Sequence, residues 1–150
     1  MKIALVAGAA GFIGSHLCDF LLAKNYYVIG VDNFITGREE NLQHLKGIPD
    51  FEFHKCDITQ KEQIPDIQKL DEIYNMASPA SPIDFLKLPI FILQTAALGQ
   101  LHLLELAEKT KARILYASTS EIYGDPLVHP QTESYLGNVN SVGIRGCYDE

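Results

Sequence analysis

The sequence is poor in cysteine and in basic residues, and each shortage argues against a class of protein. Three cysteines occur among its 150 residues, and Cys18, Cys56 and Cys147 form no C-x-x-C pair and no Cys/His zinc spacing. Reduced thiols in a cytoplasmic protein are therefore expected. Lysine and arginine total 12 against 19 aspartates and glutamates, which leaves a net charge of −7 with no basic cluster. Binding to nucleic-acid phosphates is not expected of such a chain.

Histidine clusters and a long apolar N-terminal run are also absent. The five histidines show no spacing typical of a metal site or a catalytic triad. The apolar N-terminal segment reaches Gly8 far too early to form a signal-peptide core. It is also far short of the roughly 20 residues that a bilayer span needs. The sequence predicts a soluble protein without a metal ion and without a membrane partner.

Continuous apolar runs alternate with helix-like stretches along the chain. Hydrophobic residues make up 47% of it, enough for one ordinary core. Because strands that alternate with helices build a parallel sheet covered on both faces, an α/β architecture is expected. The predicted strands are residues 3–7, 26–32, 51–58, 72–77 and 113–119, and the pattern of the third is typical of a sheet edge.

Apolar periodicity predicts two helices. The first covers residues 12–24, and its predicted buried face consists of Ile13, Leu17, Phe20 and Leu21. The second covers residues 89–109 and carries more apolar surface than one sheet face needs, so another subunit is expected to cover part of it. Its most regular apolar stripe consists of Ile90, Ala97, Leu101 and Leu104. After Tyr123 a long loop is predicted.

The strongest local motif is the glycine-rich segment GAAGFIG between the first strand and the first helix. Gly8, Gly11 and Gly14 permit a tight turn and a close approach to a pyrophosphate at a helix N-terminus, although a simple turn is the alternative. Asp32 ends the second strand, 18 residues after Gly14, where a carboxylate accepts hydrogen bonds from both ribose hydroxyls. The motif predicts a Rossmann-like, doubly wound sheet that binds NAD. A carboxylate at position 32 repels the 2′-phosphate of NADP and so favours NAD. The nearby Arg38 is the one residue that would favour NADP.

Polar and small residues follow the remaining strands. Asp57 would accept the amino group of an adenine, or else cap a turn. Ala77 is small enough to pass close under a cofactor, or else simply opens a turn. The fifth strand ends in STSEIYG, which brings Thr119 and Glu121 to the carboxyl edge of the sheet, where ligands bind. Helix capping is the alternative for such a turn.

Five segments together resemble the extended short-chain dehydrogenase/reductases that act on nucleotide sugars, and among them most of all the UDP-glucuronate decarboxylases. These segments are GAAGFIGSHLCDFLL, DNFITGREEN, ASPASPIDF, ASTSEIYGDPLVHPQTESYLGNVN and RGCYDE. The glycine motif is common to the whole superfamily, whereas SPASP, GDPLVHPQTESY and CYDE are more specific. dTDP-glucose 4,6-dehydratases and UDP-sugar 4-epimerases share the glycine motif and the tyrosine. Dehydratases prefer an Asp-Glu pair after the threonine, and Ser120 argues against that reading.

The resemblance implies a role for each matching residue. Tyr148 would be the base that takes the proton from the sugar 4-hydroxyl while a hydride passes to NAD. Thr119 would stabilise the oxygen charge at C4, and Glu121 would assist either ring distortion or proton transfer near C5. Carbon dioxide would then leave the 4-keto sugar, and return of the hydride would give UDP-xylose. The implied NAD contacts are Gly8, Gly11, Phe12, Ile13, Gly14, Asp32, Asn33, Asp57, Ile58 and Ala77.

The resemblance also implies that residues 1–150 are part of a larger enzyme. The tyrosine of this family belongs to a Y-x-x-x-K motif, whose lysine would stand at position 152. The remaining strands of the sheet and a domain that binds the UDP-sugar would follow, and the complete enzyme would be a homodimer. We therefore expect weak NAD binding and no turnover from these residues alone. A truncated or degenerate NAD-binding module without catalysis is the alternative.

Three positions depart from the family pattern. Ala7 stands where Thr or Ser is usual, Ala96 where Asn is usual, and Gly146 where Ser is usual. The missing asparagine is expected to loosen helix packing near the active site. The glycine is expected to add backbone freedom just before Tyr148.

Overall fold

A five-stranded parallel sheet forms the centre of the molecule. A computed structural model describes residues 1–149 and gives the strand order β3-β2-β1-β4-β5. The predicted α/β class and the edge position of the third strand are therefore confirmed. The strands are β1 (Lys2–Ala7), β2 (Tyr26–Asp32), β3 (Phe51–Lys55), β4 (Glu72–Asn75) and β5 (Arg113–Tyr116). Three of them end earlier than predicted, because the residues that follow turn into loops at the carboxyl edge.

Helical segments connect the strands. The α-helices are α1 (Phe12–Ala23), α2 (Pro82–Lys87), α3 (Pro89–Gln94), α4 (Gln100–Thr110) and α5 (Gly146–Asp149). A π-helical turn, Thr95–Gly99, joins α3 to α4, so the helix predicted over residues 89–109 is continuous but irregular in its middle. The sequence did not predict α2 and α5, which at six and four residues are too short for apolar periodicity. Short 3₁₀ helices lie at Glu39–Leu45, Lys61–Gln63 and Ser120–Tyr123.

Two apolar cores cover the two faces of the sheet. Alternate residues of β1 point to opposite faces, and residues 4–7 are fully buried. On one face, α1 and the segment Glu39–Leu45 pack on Ala4, Val6 and Val28 of the sheet through Cys18, Leu21, Leu42 and Leu45. On the other face, α4 packs over the sheet through Leu5, Ala7, Ile29, Val31, Ile73, Leu103, Leu106 and Ala107.

The predicted buried face of α1 is only partly correct. Leu21 is buried and Leu17 is partly buried, but Ile13 is 66% exposed and Phe20 is 58% exposed. The helix rests on Leu21 together with Gly14, Ser15 and Cys18. Small residues on this face let α1 approach the loop that precedes it, since a Cβ on Gly14 would lie only 2.0 Å from the Gly8 carbonyl oxygen. The close contact between Gly14 and the Gly8 loop, rather than the number of apolar residues on each face, decides which face of α1 points inward.

The helical run from Pro89 to Thr110 has an inner and an outer face. Its buried residues are Ile92, Thr95, Gly99, Leu103, Leu106 and Ala107. The regular stripe of Ile90, Ala97, Leu101 and Leu104 faces outward. In length and in mean hydropathy (1.4) the run would suffice to cross a membrane, but here its inner face packs on the sheet as a core helix does. A second partner for the outer face remains a prediction.

The end of the described chain folds beside β5. Leu115 and Tyr116 of this edge strand are 49% and 44% exposed. The predicted loop after Tyr123 is held by Asn138, whose N–H donates to the Tyr123 carbonyl at 2.9 Å and whose side chain donates to the Asp125 carbonyl at 3.1 Å. This loop leads directly to α5.

Candidate functional site

A cleft opens at the carboxyl edge of the sheet between the ends of β1 and β4. The chain runs from β1 toward β3 on one side and to β4 on the other, so this is the point where strand order reverses and where open α/β sheets bind ligands. The cleft encloses about 530 Å³ of space, part of it open to solvent. We call it the switch-point cleft. Seven of the ten predicted cofactor residues line it: Gly8, Gly11, Asp32, Asn33, Asp57, Ile58 and Ala77.

Gly8 is the point where two loops of the cleft touch. Its φ is +80°, a left-handed conformation that favours glycine. A Cβ at this position would lie 2.8 Å from the carbonyl carbon and oxygen of Met76 and 2.9 Å from the Ala77 nitrogen. The first glycine of the motif is therefore required both by its backbone angle and by the loop after β4.

The N-terminus of α1 provides backbone donors beside the cleft. Gly11 precedes the helix and has no side chain to cap it, and the first turn contains no acidic residue. The first intrahelical bond runs from the Ser15 N–H to the Gly11 carbonyl at 3.0 Å. The N–H groups of Phe12, Ile13 and Gly14 precede that bond and lie at the positive end of the helix dipole, which favours an anion. Since the Phe12 and Ile13 side chains are 77% and 66% exposed, these residues would act through their backbone.

Asp32 presents a carboxylate at the end of β2. Its Oδ2 accepts the Ala10 N–H at 2.9 Å and its Oδ1 accepts the Phe34 N–H at 2.7 Å. Each carboxylate oxygen can accept a further hydrogen bond, so two ligand hydroxyls can still be bound. Gly37 lies so close that a Cβ on it would be 2.9 Å from Asp32 Oδ1. The loop after β2 is thus folded around this one carboxylate.

The other predicted cofactor residues have local roles as well. Asp57 Oδ1 accepts the N–H and the hydroxyl of Thr59, at 2.9 and 2.8 Å, so the turn-capping alternative for Asp57 is present in the structure. Asn33 Oδ1 similarly accepts the Ile35 N–H at 3.0 Å. Both residues nevertheless line the cleft, and a carboxylate or amide oxygen that caps a turn retains further acceptor capacity.

One wall of the cleft was missed by the sequence analysis. Phe91 of α3 and Thr95 of the π-helical turn face the loops that follow β1 and β4. The Thr95 hydroxyl donates to the Phe91 carbonyl at 2.8 Å. No periodic pattern marks a π-helical turn, although such turns are frequent at functional sites. Ala96, at the position where the family has Asn, lies in this turn.

The three predicted catalytic residues lie outside the lining of the cleft, in a cluster next to it. Thr119 caps the 3₁₀ helix Ser120–Tyr123, and its Oγ1 accepts the Glu121 N–H at 3.1 Å. The capping alternative is therefore realised, but the Thr119 O–H can still donate to a ligand. Glu121 forms an ion pair with Arg145, whose Nη1 lies 2.8 Å from Glu121 Oε2. Sequence reasoning missed Arg145, because its partner lies 24 residues earlier in the chain.

Tyr148 lies on α5 and packs against an aromatic side chain of α2. Its ring stacks on Phe85 of α2, with centroids 4.7 Å apart and an interplanar angle of 25°. Burial, and to a smaller extent the nearby Tyr148, raise the pKa of Tyr116 at the end of β5. Gly146 is buried, and a Cβ on it would lie 2.8 Å from the Ser141 carbonyl oxygen. The glycine before Tyr148 thus permits tight packing here.

α3 connects the cleft to the catalytic cluster. It carries Phe91 into the cleft lining and packs against α5, which carries Tyr148. α5 in turn packs against the 3₁₀ helix that follows Thr119. Within residues 1–149, no group of three His, Cys, Asp or Glu side chains is arranged to hold a metal ion.

The comparison with known sequences decides the family. The profile of the family described as GDP-mannose 4,6 dehydratase matches residues 5–141. The chain belongs to this family of NAD-dependent epimerases and dehydratases, the extended short-chain dehydrogenase/reductases. UDP-glucuronic acid decarboxylase 6 of Arabidopsis thaliana is 51% identical to this extended dehydrogenase/reductase over 147 residues, which are 97% of the chain and 42% of the relative. UDP-glucuronic acid decarboxylase 1 of Xenopus tropicalis is 48% identical over 149 residues, 99% of the chain and 34% of the relative.

Solved structures of the family share the fold. A UDP-glucose 4-epimerase from Thermotoga maritima with UDP-glucose matches with a TM-score of 0.82 and 30% identity, over 99% of the chain and 47% of the epimerase. A dTDP-glucose 4,6-dehydratase from Bacillus anthracis in complex with NAD matches with a TM-score of 0.79 and 26% identity, over 99% and 47%. The chain thus spans about a third to two-fifths of the length of the curated relatives quoted above and about half of these structures.

Proposed function

We propose that this chain is the NAD-binding part of an enzyme that decarboxylates UDP-glucuronate to UDP-xylose. The observation that carries the proposal is the 48–51% identity with UDP-glucuronic acid decarboxylases over at least 97% of the chain. That span includes the glycine motif, the threonine of STSEIYG and the tyrosine of CYDE. The structural likenesses to epimerases and a dehydratase are at 26–30% identity and support the fold and the cofactor more than the substrate.

The switch-point cleft fits a dinucleotide. Gly8 and Gly14 have no room for a Cβ, and the backbone between them leads to an α1 N-terminus without a side-chain cap. The N–H groups of residues 12–14 would bind the pyrophosphate, and Asp32 would accept the two hydroxyls of the adenosine ribose. Asp57, Asn33 and Ile58 would surround the adenine, and Ala77 would lie under the cofactor. NAD bound in this way supplies an acceptor and later a donor of hydride.

The residues of the catalytic cluster would handle the proton at the sugar. Tyr148 would take the proton of the 4-hydroxyl, and the Thr119 hydroxyl would donate a hydrogen bond to the same oxygen. Glu121 would serve proton transfer near C5. A phenol acts as a base at neutral pH only when a nearby cation lowers its pKa. The family pattern assigns that cation to a lysine at position 152.

An NAD titration tests the proposed cofactor site. In calorimetry of the 150-residue chain, NAD is expected to bind at least about tenfold more tightly than NADP, because the Asp32 carboxylate repels a 2′-phosphate. Asp32→Asn should narrow that difference, and Asp50→Asn, an exposed carboxylate outside the cleft lining, should leave it unchanged. Equal affinities for NAD and NADP, or no binding of either, would contradict the assignment.

Turnover tests the decarboxylase proposal and its alternatives. The 150-residue chain with NAD and UDP-glucuronate should form no UDP-xylose, and formation of that product would overturn this expectation. Reading the coding sequence beyond codon 150 is the companion test. A continuation with lysine at codon 152 supports an enzyme of this family, whereas a stop codon favours a binding module without catalysis. In a longer product, release of carbon dioxide from UDP-glucuronate separates a decarboxylase from an epimerase or a dehydratase.

The outer face of the Pro89–Thr110 run is proposed to pair with a second copy of the chain. Its exposed residues Ile90, Leu93, Ala97, Leu101 and Leu104 follow a spacing of 3, 4, 4 and 3 residues, which is the same in both directions. Two antiparallel copies crossing at Ala97 would therefore bring like apolar residues together. This apolar self-complementarity supports a two-fold dimer.

A further inference from the structure

A buried amide side chain lies at the carboxyl end of β4. Asn75 is 1% exposed, and both ends of its amide are used. Its Oδ1 accepts the Ala77 N–H at 3.1 Å, and its Nδ2 donates to Gln100 Oε1 at 2.8 Å. The position is polar within an otherwise apolar strand end, and neither the glycine motif nor Asp32 accounts for it.

The Ala77 side of this contact holds a loop of the switch-point cleft. Met76, Ala77, Ser78 and Pro79 line the cleft directly after β4. The Met76–Ala77 peptide is the backbone against which Gly8 packs, since a Cβ on Gly8 would lie 2.8 to 2.9 Å from its atoms. A displacement of this peptide would therefore change the space available to the glycine-rich turn.

The Gln100 side of the contact holds the opposite wall. Gln100 is the first residue of α4 and follows the π-helical turn directly. That turn carries Thr95 into the cleft, and its last residue, Gly99, packs so closely on Ile58 that a Cβ would lie 2.7 Å from Ile58 Cδ1. Asn75 thus bridges the loop wall and the helical wall of one cleft.

Elementary chemistry determines the direction of the two bonds. A backbone N–H can only donate, so Asn75 must turn Oδ1 toward Ala77 and Nδ2 toward Gln100. Gln100 must then present its oxygen. Glutamate at position 100 would keep an acceptor for Asn75, alanine would remove it, and lysine would offer only donors.

We propose that Asn75 is a positioning residue that sets the spacing between the two walls of the cleft through Gln100, and that this spacing determines the affinity for the dinucleotide. The inference rests on the proposed NAD site. Asn75 is outside the predicted contact set and acts through the Ala77 peptide and the π-helical turn. Its effect should therefore be transmitted by Gln100, which the cleft lining does not include.

The test compares Gln100→Ala, Gln100→Lys and Gln100→Glu in the 150-residue chain. Calorimetry with NAD is expected to show about three- to tenfold weaker binding for alanine and lysine, the size of one lost hydrogen bond, and recovery to within about twofold for glutamate. Gln94→Ala, an exposed glutamine on the same helical run, is the matched control and should bind like the wild type. Asn75→Ala should weaken NAD binding at least as much as Gln100→Ala does. Because Asn75 is buried, its replacement can also prevent folding, so the Gln100 variants are the decisive test.

Amide hydrogen exchange distinguishes a loosened loop after β4 from a loss of overall stability. The Ala77 amide should exchange faster in Gln100→Ala than in the wild type and slowly again in Gln100→Glu, while β1 amides stay unchanged. The inference would be refuted if Gln100→Ala changed neither the NAD affinity nor the exchange rate of the Ala77 amide. It would also be refuted if Gln100→Glu lost as much NAD affinity as Gln100→Ala. A wild-type chain that binds no NAD would refute the proposed function, and the exchange measurement would still decide whether the bridge holds the loop.

Discussion

Single residues of the glycine-rich turn beside the switch-point cleft show how little space the backbone leaves. Gly14 is the strongest case, because a Cβ there would lie 2.0 Å from the Gly8 carbonyl oxygen, a backbone atom that cannot rotate away. Alanine normally stabilises a helix position relative to glycine by about 1 kcal/mol. The clash reverses that sign here, so the glycine at this position is required by packing.

Gly14→Ala is therefore expected to lower the free energy of unfolding by about 2–3 kcal/mol, a typical cost of overpacking, and to weaken NAD binding. Urea denaturation of the chain measures the first effect. Gly47→Ala is a contrasting variant, because Gly47 has a positive φ of +86° but no atom within 4 Å of an added Cβ. Its cost should be limited to backbone strain of about 1 kcal/mol and should be smaller than that of Gly14→Ala. A Gly14→Ala variant that is as stable as the wild type would contradict the packing argument.

The three free thiols differ in reactivity for a physical reason. Burial raises the pKa of Cys18 to about 12 and that of Cys56 to about 11, whereas Cys147 is partly exposed. Since the thiolate is the reactive species, iodoacetamide at pH 8 should modify Cys147 at least about tenfold faster than the other two. Peptide mass spectrometry measures the rates, and the urea-unfolded chain should show similar rates at all three. Rapid labelling of Cys56 in the native chain would contradict this, and would mean that the cleft opens far enough to expose the buried thiol that lines it.

At the scale of elements, one carboxylate links three strands at the amino edge of the sheet. Glu72 of β4 accepts hydrogen bonds from Lys2 Nζ of β1 at 2.8 Å, from Tyr26 of β2 at 3.2 Å and from Tyr74 at 2.7 Å. The Lys2 bond is the main reason that the pKa of Glu72 lies below its ordinary value. A carboxyl group with a depressed pKa stabilises the fold above its unfolded pKa, and this stabilisation is lost as the pH falls through the folded value.

Glu72→Gln should accordingly lower the free energy of unfolding at pH 7 by about 1 kcal/mol. The difference from the wild type should shrink as the pH falls below the ordinary glutamate pKa, roughly 4.3. Urea denaturation at pH 7 and pH 3.5 measures both values, with exposed Glu133→Gln as the control. A difference that is equal at the two pH values would show that the carboxylate charge is not the cause.

At the scale of the whole molecule, the outer helical face is a regular apolar surface outside the two cores. Leu101 is 49% exposed, and its proposed partner in the two-fold arrangement is Leu93 of a second copy. Leu101→Glu should shift the chain from dimer to monomer in light scattering at micromolar concentration, because a carboxylate would be buried against leucine. Leu127→Glu, in the loop after β5 and 80% exposed, should leave the assembly unchanged. A monomeric wild type would contradict the pairing.

The sequence by itself determined the elements whose signals are local. The five strands follow from continuous apolar runs, and the glycine-rich turn and Asp32 follow from residue types that few other arrangements require. The predicted parallel sheet and the edge position of its third strand are correct for the same reason, since strands alternating with helices leave few topologies for a parallel sheet. Resemblance to a family added the roles of Thr119, Glu121 and Tyr148, which capping and stacking contacts alone would not suggest.

Only the tertiary structure decided which residues complete the site. Phe91 of α3 and Thr95 of the π-helical turn line the cleft, and Arg145 meets Glu121 because α5, which follows Arg145, packs against the 3₁₀ helix Ser120–Tyr123. Likewise, α1 turns its small residues inward because the Gly8 loop lies in contact with it. These contacts join residues that are distant in sequence or depend on a close backbone approach. Neither apolar periodicity nor motif spacing records such distances, which arise only when the strands are assembled.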